Sequence, residues 1–261
     1  MTKISLPISH LFDDEKNIKM LQGYYDCLET RPRSIKSSLE KQDIFHADNI
    51  QPIHELSDQD FNFLKEVKEK KGLQAVSFHC ASRCKNPDQK DGIFQIGNSS
   101  TVYSRNEMIL NCKNNIQKIR KVLGKNISLL IENNNFFPTE AYGIVVDPMF
   151  LNEIVETNDI EFLFDSAHAK VSAHNLGIDY IDYRDSLPLN RMTQIQFCSP
   201  DIPSNGSSEI ARDVHELPSQ SDTDEAIMLV KKYNVKYVIP EYYKDVNKLL
   251  TLLKTLRTYL Q

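Results

Sequence analysis

A (β/α)8 barrel is the fold class this sequence predicts, and three observations predict it. Short β-rich runs alternate with amphipathic helical stretches over almost all of the 261 residues, a pattern that gives a parallel sheet covered by helices. An open doubly wound sheet satisfies that alternation too, but roughly eight units in about 250 residues favour closure into a barrel. No Pro- or Ser-rich linker interrupts the run, so residues 1–261 read as one domain.

Taken in order, Ile4–Ser9 reads as the first strand and Asp13–Leu28 as a helix, with Ile18, Leu21, Tyr25 and Leu28 on one face. Asp43–His46 is a short strand. Ser57 and Asp60 form a capping signal for a helix that buries Phe61, Leu64 and Val67 and stops at Gly72. Ala75–His79 is the next strand. Ser104 and Glu107 make a capping box, followed by Ile109, Ile116, Ile119 and Leu123 at helical spacing and then Gly124. Ile127–Glu132 is the most apolar strand, and Asp147-Pro148 opens another helix with Pro where the first turn accepts it. Glu161–Asp165 and Thr193–Cys198 are strands with a helical stretch near Asp179–Ser186 between them. A short strand is expected at Ile210–Asp213, a last one at Lys236–Glu241, and a final helix carries Val246, Leu249, Leu250, Leu253, Leu256 and Leu260. Lys85–Ser100 and Ser199–Arg212 are rich in Asn, Pro, Gly and Ser and each follows a strand. Loops after strands lie on the catalytic face of such a barrel, which makes these two candidate substrate loops.

Composition removes several classes. Hydrophobic residues make up 40% and charged residues 26% of the chain, a globular balance, and no apolar run approaches the ~18 residues of a spanning helix. The N-terminus has no basic lead-in, long apolar core or small-residue cleavage site, so a cytoplasmic protein is expected. A net charge of −5 and a pI of about 5.8 argue against binding to nucleic acid or an anionic membrane. Five cysteines make no disulfide framework, Cys80 and Cys84 lack C-x-x-C spacing, and the thiols read as buried and reduced. No Gly-rich phosphate loop is present.

The informative pattern is that strand after strand ends in a side chain able to bind a metal. IFH ends in His46, VSFH in His79, LLIE in Glu132, FLFD in Asp165 with His168 three residues on, and YVIPE in Glu241; DVH adds Asp213 and His215. In a barrel these groups converge on the C-terminal rim. Singly, each has a bland reading: a histidine at a strand end is usually a packing residue, and Asp165 or Asp213 would serve as helix N-caps. Glu132 resists that reading, because a carboxylate closing an apolar strand is costly to bury unpaired. Together the eight make chance convergence implausible, whereas His10, His54 and His174 lack the placement. Imidazole with carboxylate suits iron, manganese or zinc, and the set contains no cysteine, unlike structural zinc sites. So many ligands imply two or three ions with Glu132 as the bridge, and Glu132 and Asp165 are also the candidate catalytic residues.

At these residues the sequence resembles the multinuclear non-haem iron-dependent oxidative enzymes, the methanobactin-oxidase-like group, within the xylose-isomerase-like TIM barrels. The resemblance is carried by LLIENN, by DPMFLNEIVETNDIEFLFDSAHAKVSAHNLGIDYIDYRDSLPLNRMTQIQF, by DVHELP and by IPEYYKDVNKLLTLL, and it is tightest over Ile127–Leu253. In the N-terminal half it rests on IFHADN and VSFHC. The resemblance implies that His46, His79, Glu132, Asp165, His168, Asp213, His215 and Glu241 are metal ligands. It also implies iron and O2 as cofactors, a ribosomally synthesised precursor peptide modified at a cysteine as substrate, and in many members a separate substrate-recognition protein. Three departures stand out. The family's EIHLAG strand reads QIQFCS here, which puts Gln196, a poorer ligand, at a ligand position; His168 stands where many members have Asn; and SEHL reads SFHC.

Three other functions use the same residues: a divalent-metal (zinc) hydrolase, a sugar isomerase, and a metal-poor barrel that binds a partner without turnover. The acidic pI counts against a DNA substrate for the first, no catalytic Lys can be placed for the second, and the eight intact ligand candidates count against the third.

Overall fold

The computed structural model describes residues 1–204 and 209–260. Eight parallel strands close a barrel: β1 (Lys3–Pro7), β2 (Cys27–Thr30), β3 (Ile44–Ala47), β4 (Ala75–His79), β5 (Ser128–Glu132), β6 (Glu161–Asp165), β7 (Met192–Phe197) and β8 (Tyr237–Pro240). Each strand pairs with its neighbours in chain order and β1 pairs with β8, which leaves no free sheet edge. Helices α1 (Glu15–Leu21), α2 (Asp58–Lys70), α3 (Arg105–Leu123), α4 (Pro148–Asn158), α5 (Ser166–Leu176), α6 (Tyr180–Ser186), α7 (Gln220–Lys232) and α8 (Val246–Leu260) lie between or after the strands; the link from β2 to β3 carries only a 3-10 turn, Pro32–Ser34. Among the described residues no helix is long and apolar enough to cross a membrane.

The expected helix starts hold in detail. Ser57 with Asp60 and Ser104 with Glu107 form reciprocal capping boxes, and Asp147 caps α4 with Pro148 in its first turn. One expected element does not form as read. The helix proposed for Asp13–Leu28 ends at Leu21, Gly23 takes a φ of +92°, and Cys27–Thr30 is the second barrel strand. Tyr25 and Leu28 continue the spacing of Ile18 and Leu21 by coincidence, and the positive φ that Gly23 supplies breaks the helix before them. The strand expected at Ile210–Asp213 is displaced to Arg212–Glu216 and belongs to a hairpin with Ser199–Asp201 rather than to the barrel. Helices α5 and α7 escaped the reading, although Asp165 and Ser219 cap them.

Period-two alternation explains both the core and the site. Outward residues such as Leu129, Ile131, Phe162 and Phe164 pack under the helices in the main core, while inward ones stack as Cys27, Ile44, Ala75, Leu130, Leu163, Tyr237 and Ile239 at the lower end of the barrel. Two residues further along each of these strands the next inward side chain is polar: Glu29, His46, Ser77, Glu132, Asp165 and Glu241. The apolar layer is thus the floor of a polar cup at the C-terminal rim. Of the two candidate substrate loops, Lys85–Ser100 contains a small hairpin, Asp88–Lys90 with Ile93–Gln95, framed by Cys84–Lys85 paired with Thr101–Val102. In the loop Ser199–Arg212, residues 205–208 lie outside the described residues. The two insertions meet where Arg212 donates to the Asp91 carbonyl at 3.1 Å.

Candidate metal centre

Parallel register brings the sequence-predicted groups together. His79 is level with Glu132 across β4 and β5, and His46 is level with Ser77 across β3 and β4. His46 Nε2 lies 2.9 Å from His79 Nε2, a pair of imidazole nitrogens aimed at a common point. Glu132 Oε2 is 3.1 Å from His79 Nε2 and 3.5 Å from His46 Nε2. Its other oxygen, Oε1, is 3.1 Å from His168 Nδ1. Two three-residue groups therefore have ligand atoms close enough to hold an ion, His46–His79–Glu132 and Glu132–Asp165–His168, and they share Glu132.

The orientation of these ligands is built in from neighbouring residues. His46 Nδ1 is 2.8 Å from Ser77 Oγ, which leaves Nε2 to face the cup. Asn133 bonds both backbone groups of Asp165, its Nδ2 donating to the carbonyl at 2.8 Å and its Oδ1 accepting from the amide at 2.9 Å. Asp165 Oδ1 caps α5 by accepting from the His168 amide at 2.8 Å. Asp165 is thus the N-cap of its bland reading, while its second oxygen accepts no hydrogen bond and faces the cup. His168 Nδ1 lies 3.0 Å from the Asn133 carbonyl and 3.9 Å from Asp165 Oδ2, and its Nε2 faces Asp213 Oδ2 at 3.5 Å.

Asp213 and His215 come from the hairpin, not from a barrel strand. His215 has a φ of +48°, a left-handed conformation that costs energy for a residue with a Cβ. Its Nε2 sits 3.0 Å from Glu241 Oε2 and 3.5 Å from Asp213 Oδ2. Cys198 Sγ donates to Asp213 Oδ1 at 3.2 Å. Gln196 is buried and faces inward, with its Nε2 donating to Glu29 Oε2 at 3.0 Å.

Electrostatics follow from this crowding. Burial by itself pushes Glu132 toward protonation, but His79, His46 and His168 together hold its carboxyl well below the usual range. Burial likewise opposes charge on His168, yet Asp165, Asp213 and Glu132 raise it well above an ordinary histidine. His46 goes the other way, because burial outweighs the pull of Glu132. Burial lifts Asp165 to about 7, against the opposing charge of His168. Two oxygens in the cup, Glu132 Oε2 and Asp165 Oδ2, are buried and accept no well-directed hydrogen bond. Buried carboxylate oxygens without donors call for a cation, and the donor set of imidazoles and carboxylates fits a first-row divalent metal.

Three further residues belong to the cup and escaped sequence reading: Glu29, Arg31 and Gln194. Arg31 Nε donates to Glu29 Oε1 at 2.9 Å, its Nη2 also bonds Glu241 Oε1, and Gln194 Nε2 donates to Glu29 Oε2 at 3.2 Å. The signal was available, since CLE is another apolar run closed by a carboxylate, but the misread helix concealed it. His54, given the bland reading, is a buried structural histidine: it bonds the Ser82 carbonyl at 2.8 Å and stacks on Tyr103. All five cysteines are free and buried, as expected.

A family model described as RiPP precursor modification enzyme MbnB/TglH/ChrH matches residues 51–246. Among solved structures, the chain is similar to a 3-keto-D-glucoside 4-epimerase from E. coli (11% identity, TM-score 0.59, covering 100% of this chain and 99% of that one). A probable 3-DHS dehydratase from Bacillus anthracis is comparable (12%, 0.60, 98% and 99%), as is a D-psicose 3-epimerase from Clostridium cellulolyticum (10%, 0.58, 100% of both). At these identities the structural likeness is one of fold, the xylose-isomerase-like TIM barrel.

Proposed function

The chain belongs to the MbnB/TglH/ChrH family of RiPP precursor modification enzymes, and from that premise we propose that it oxidatively modifies a ribosomally made precursor peptide at a cysteine, using iron and O2. The observation that carries this reading is Glu132, shared between two His/carboxylate groups with one buried oxygen lacking a donor. His46, His79 and Glu132 would hold one ion and Glu132, Asp165 and His168 another, with Asp213, His215 and Glu241 at the same rim. Iron there would supply the redox chemistry that couples O2 reduction to oxidation of the peptide.

The protein's own residues supply the rest. Glu132 keeps its negative charge in a site that is almost wholly buried, and the apolar layer beneath closes the barrel to water from the other end. Ser77 and Asn133 fix the directions of His46 and Asp165 before anything binds, which removes reorganisation from the reaction. Burial and the neighbouring Asp213 hold the Cys198 thiol protonated, so the protein's own cysteine does not compete with a substrate thiolate. In this reading residues 1–261 act as one domain in the cytoplasm, where precursor peptides are made, and a separate recognition protein presents the peptide.

The test is to reconstitute anaerobically purified protein with iron(II), add any cysteine-bearing precursor peptide found encoded beside its gene, with any recognition protein encoded there, and admit O2. An O2-dependent change in peptide mass that vanishes in the Cys→Ser peptide supports the proposal. Turnover by zinc-loaded protein without O2 would favour the hydrolase reading instead.

A further inference from the structure

The half of the cup opposite His46 and His79 holds a positive charge that belongs to the chain. Period-two alternation points Glu29, Arg31, Gln194, Gln196 and Glu241 inward, and Gln196 is in register with Asp165 on β6 while Glu241 follows the end of the adjacent β8. An imidazole at position 196 would stand between two carboxylates and complete a third ligand group. The side chains present do the opposite. The amide nitrogen of Gln196, a donor without a lone pair, turns to Glu29, because the amide oxygen could not face a carboxylate. The guanidinium of Arg31 occupies Glu241 Oε1, while His215 takes Oε2.

Resting on the metal-centre reading above, we propose that Arg31 is a resident cation standing in for a third ion, so that the cup holds two metals and Arg31 positions Glu241 from the side. Two independent features agree. The two groups able to hold an ion both lie around Glu132, and among the described residues Asp213, His215 and Glu241 do not close a third. The unpartnered carboxylate oxygens are those of Glu132 and Asp165, whereas both oxygens of Glu241 have partners. Arg suits this role because its planar, permanently charged fork bridges two carboxylates at once.

The experiment counts ions without relying on turnover. Manganese(II) is titrated into metal-free protein with the free ion read by electron paramagnetic resonance, and iron is measured by elemental analysis after anaerobic reconstitution and desalting. The expected count is about two per chain for the natural protein, and about two for Gln196→His alone, since Arg31 still fills the place. The double variant Arg31→Gln/Gln196→His is expected to take up about one more. Three ions on the natural protein, a third ion on Gln196→His alone, or an unchanged count on a double variant that melts cooperatively would each overturn the proposal. Should the double variant not fold, the single variant decides. Fewer than one ion on every form would instead overturn the metal-centre reading itself.

Discussion

The two halves of the cup differ in where their positive charge comes from. From β3 to β6 the rim carries His46, His79, Glu132, Asp165 and then His168, ligand atoms that converge and leave buried oxygens without donors. From β7 through β8 to β2 the rim carries Gln196, Glu241, Glu29 and Arg31, where every carboxylate has a covalently supplied donor. The fold places both halves at inward positions above one layer, apolar except on β7, where Gln194 is level with Leu163. The difference is one of side-chain chemistry: the first half keeps buried carboxylate oxygens without donors, whereas in the second every carboxylate oxygen has a donor and the one unpartnered oxygen is the Gln194 amide's. One strand-end position can therefore be a ligand or a structural ion pair according to whether the chain itself brings the counter-charge.

The strongest way to break this comparison is Glu132→Ala. Both candidate groups contain Glu132, so the variant should lose the metal of both and lower activity on the precursor peptide by more than about 100-fold. Elemental analysis after reconstitution checks it; full metal content in the variant would mean that the groups are independent of Glu132. The matching change on the finished half is Glu29→Gln. It removes one partner of a buried pair while Arg31 keeps Glu241, so stability should fall by about 2–4 kcal/mol in urea denaturation. Metal content of the other half should not move. If Glu29→Gln strips metal, the two halves are one site.

A smaller effect is expected from Ser77→Ala. Ser77 Oγ holds His46 Nδ1 at 2.8 Å, and losing such an outer partner costs about 10-fold or more in metal affinity. Competition against a chelator should show one weakened ion and one unchanged ion, because His168 and Asp165 do not depend on Ser77.

How much of this was legible beforehand differs between the same two halves. His46, His79, Glu132 and Asp165 each close a run of apolar residues, so alternation and the strand-end position find them in sequence without a structure. Glu241 was found in the same way. Arg31 and Glu29 were not, because Tyr25 and Leu28 mimic a helical stripe and hid β2. Gln196 was visible as a departure, but its partner Glu29 lies 167 positions away, a pairing that only barrel closure creates. Asp213 and His215 were seen as ligand candidates, yet their arrival from a hairpin with a left-handed His215 is set by tertiary contacts that local spacing does not encode.

The comparison can be sharpened with two histidines of similar burial. His168 stands among Asp165, Asp213 and Glu132 and is raised well above its ordinary value. Burial and the charge of Lys85 lower His54 from 6.5 to about 4 in spite of its bond to the Ser82 carbonyl. The unfolded chain therefore protonates position 54 below about pH 6.5, whereas the folded chain does so only near pH 4. Between those limits the unfolded state binds more protons, and acid destabilises the fold. From pH 6 to pH 5 this one group should remove about 1 kcal/mol. His54→Gln keeps a donor for the Ser82 carbonyl but cannot titrate, so its stability should fall less steeply over that unit of pH, whatever its absolute loss from the lost stacking on Tyr103. Urea unfolding of metal-free protein at the two pH values measures the slope. Equal slopes for the two proteins would show that His54 is protonated in the fold, and that the anionic cup is not what separates the two histidines.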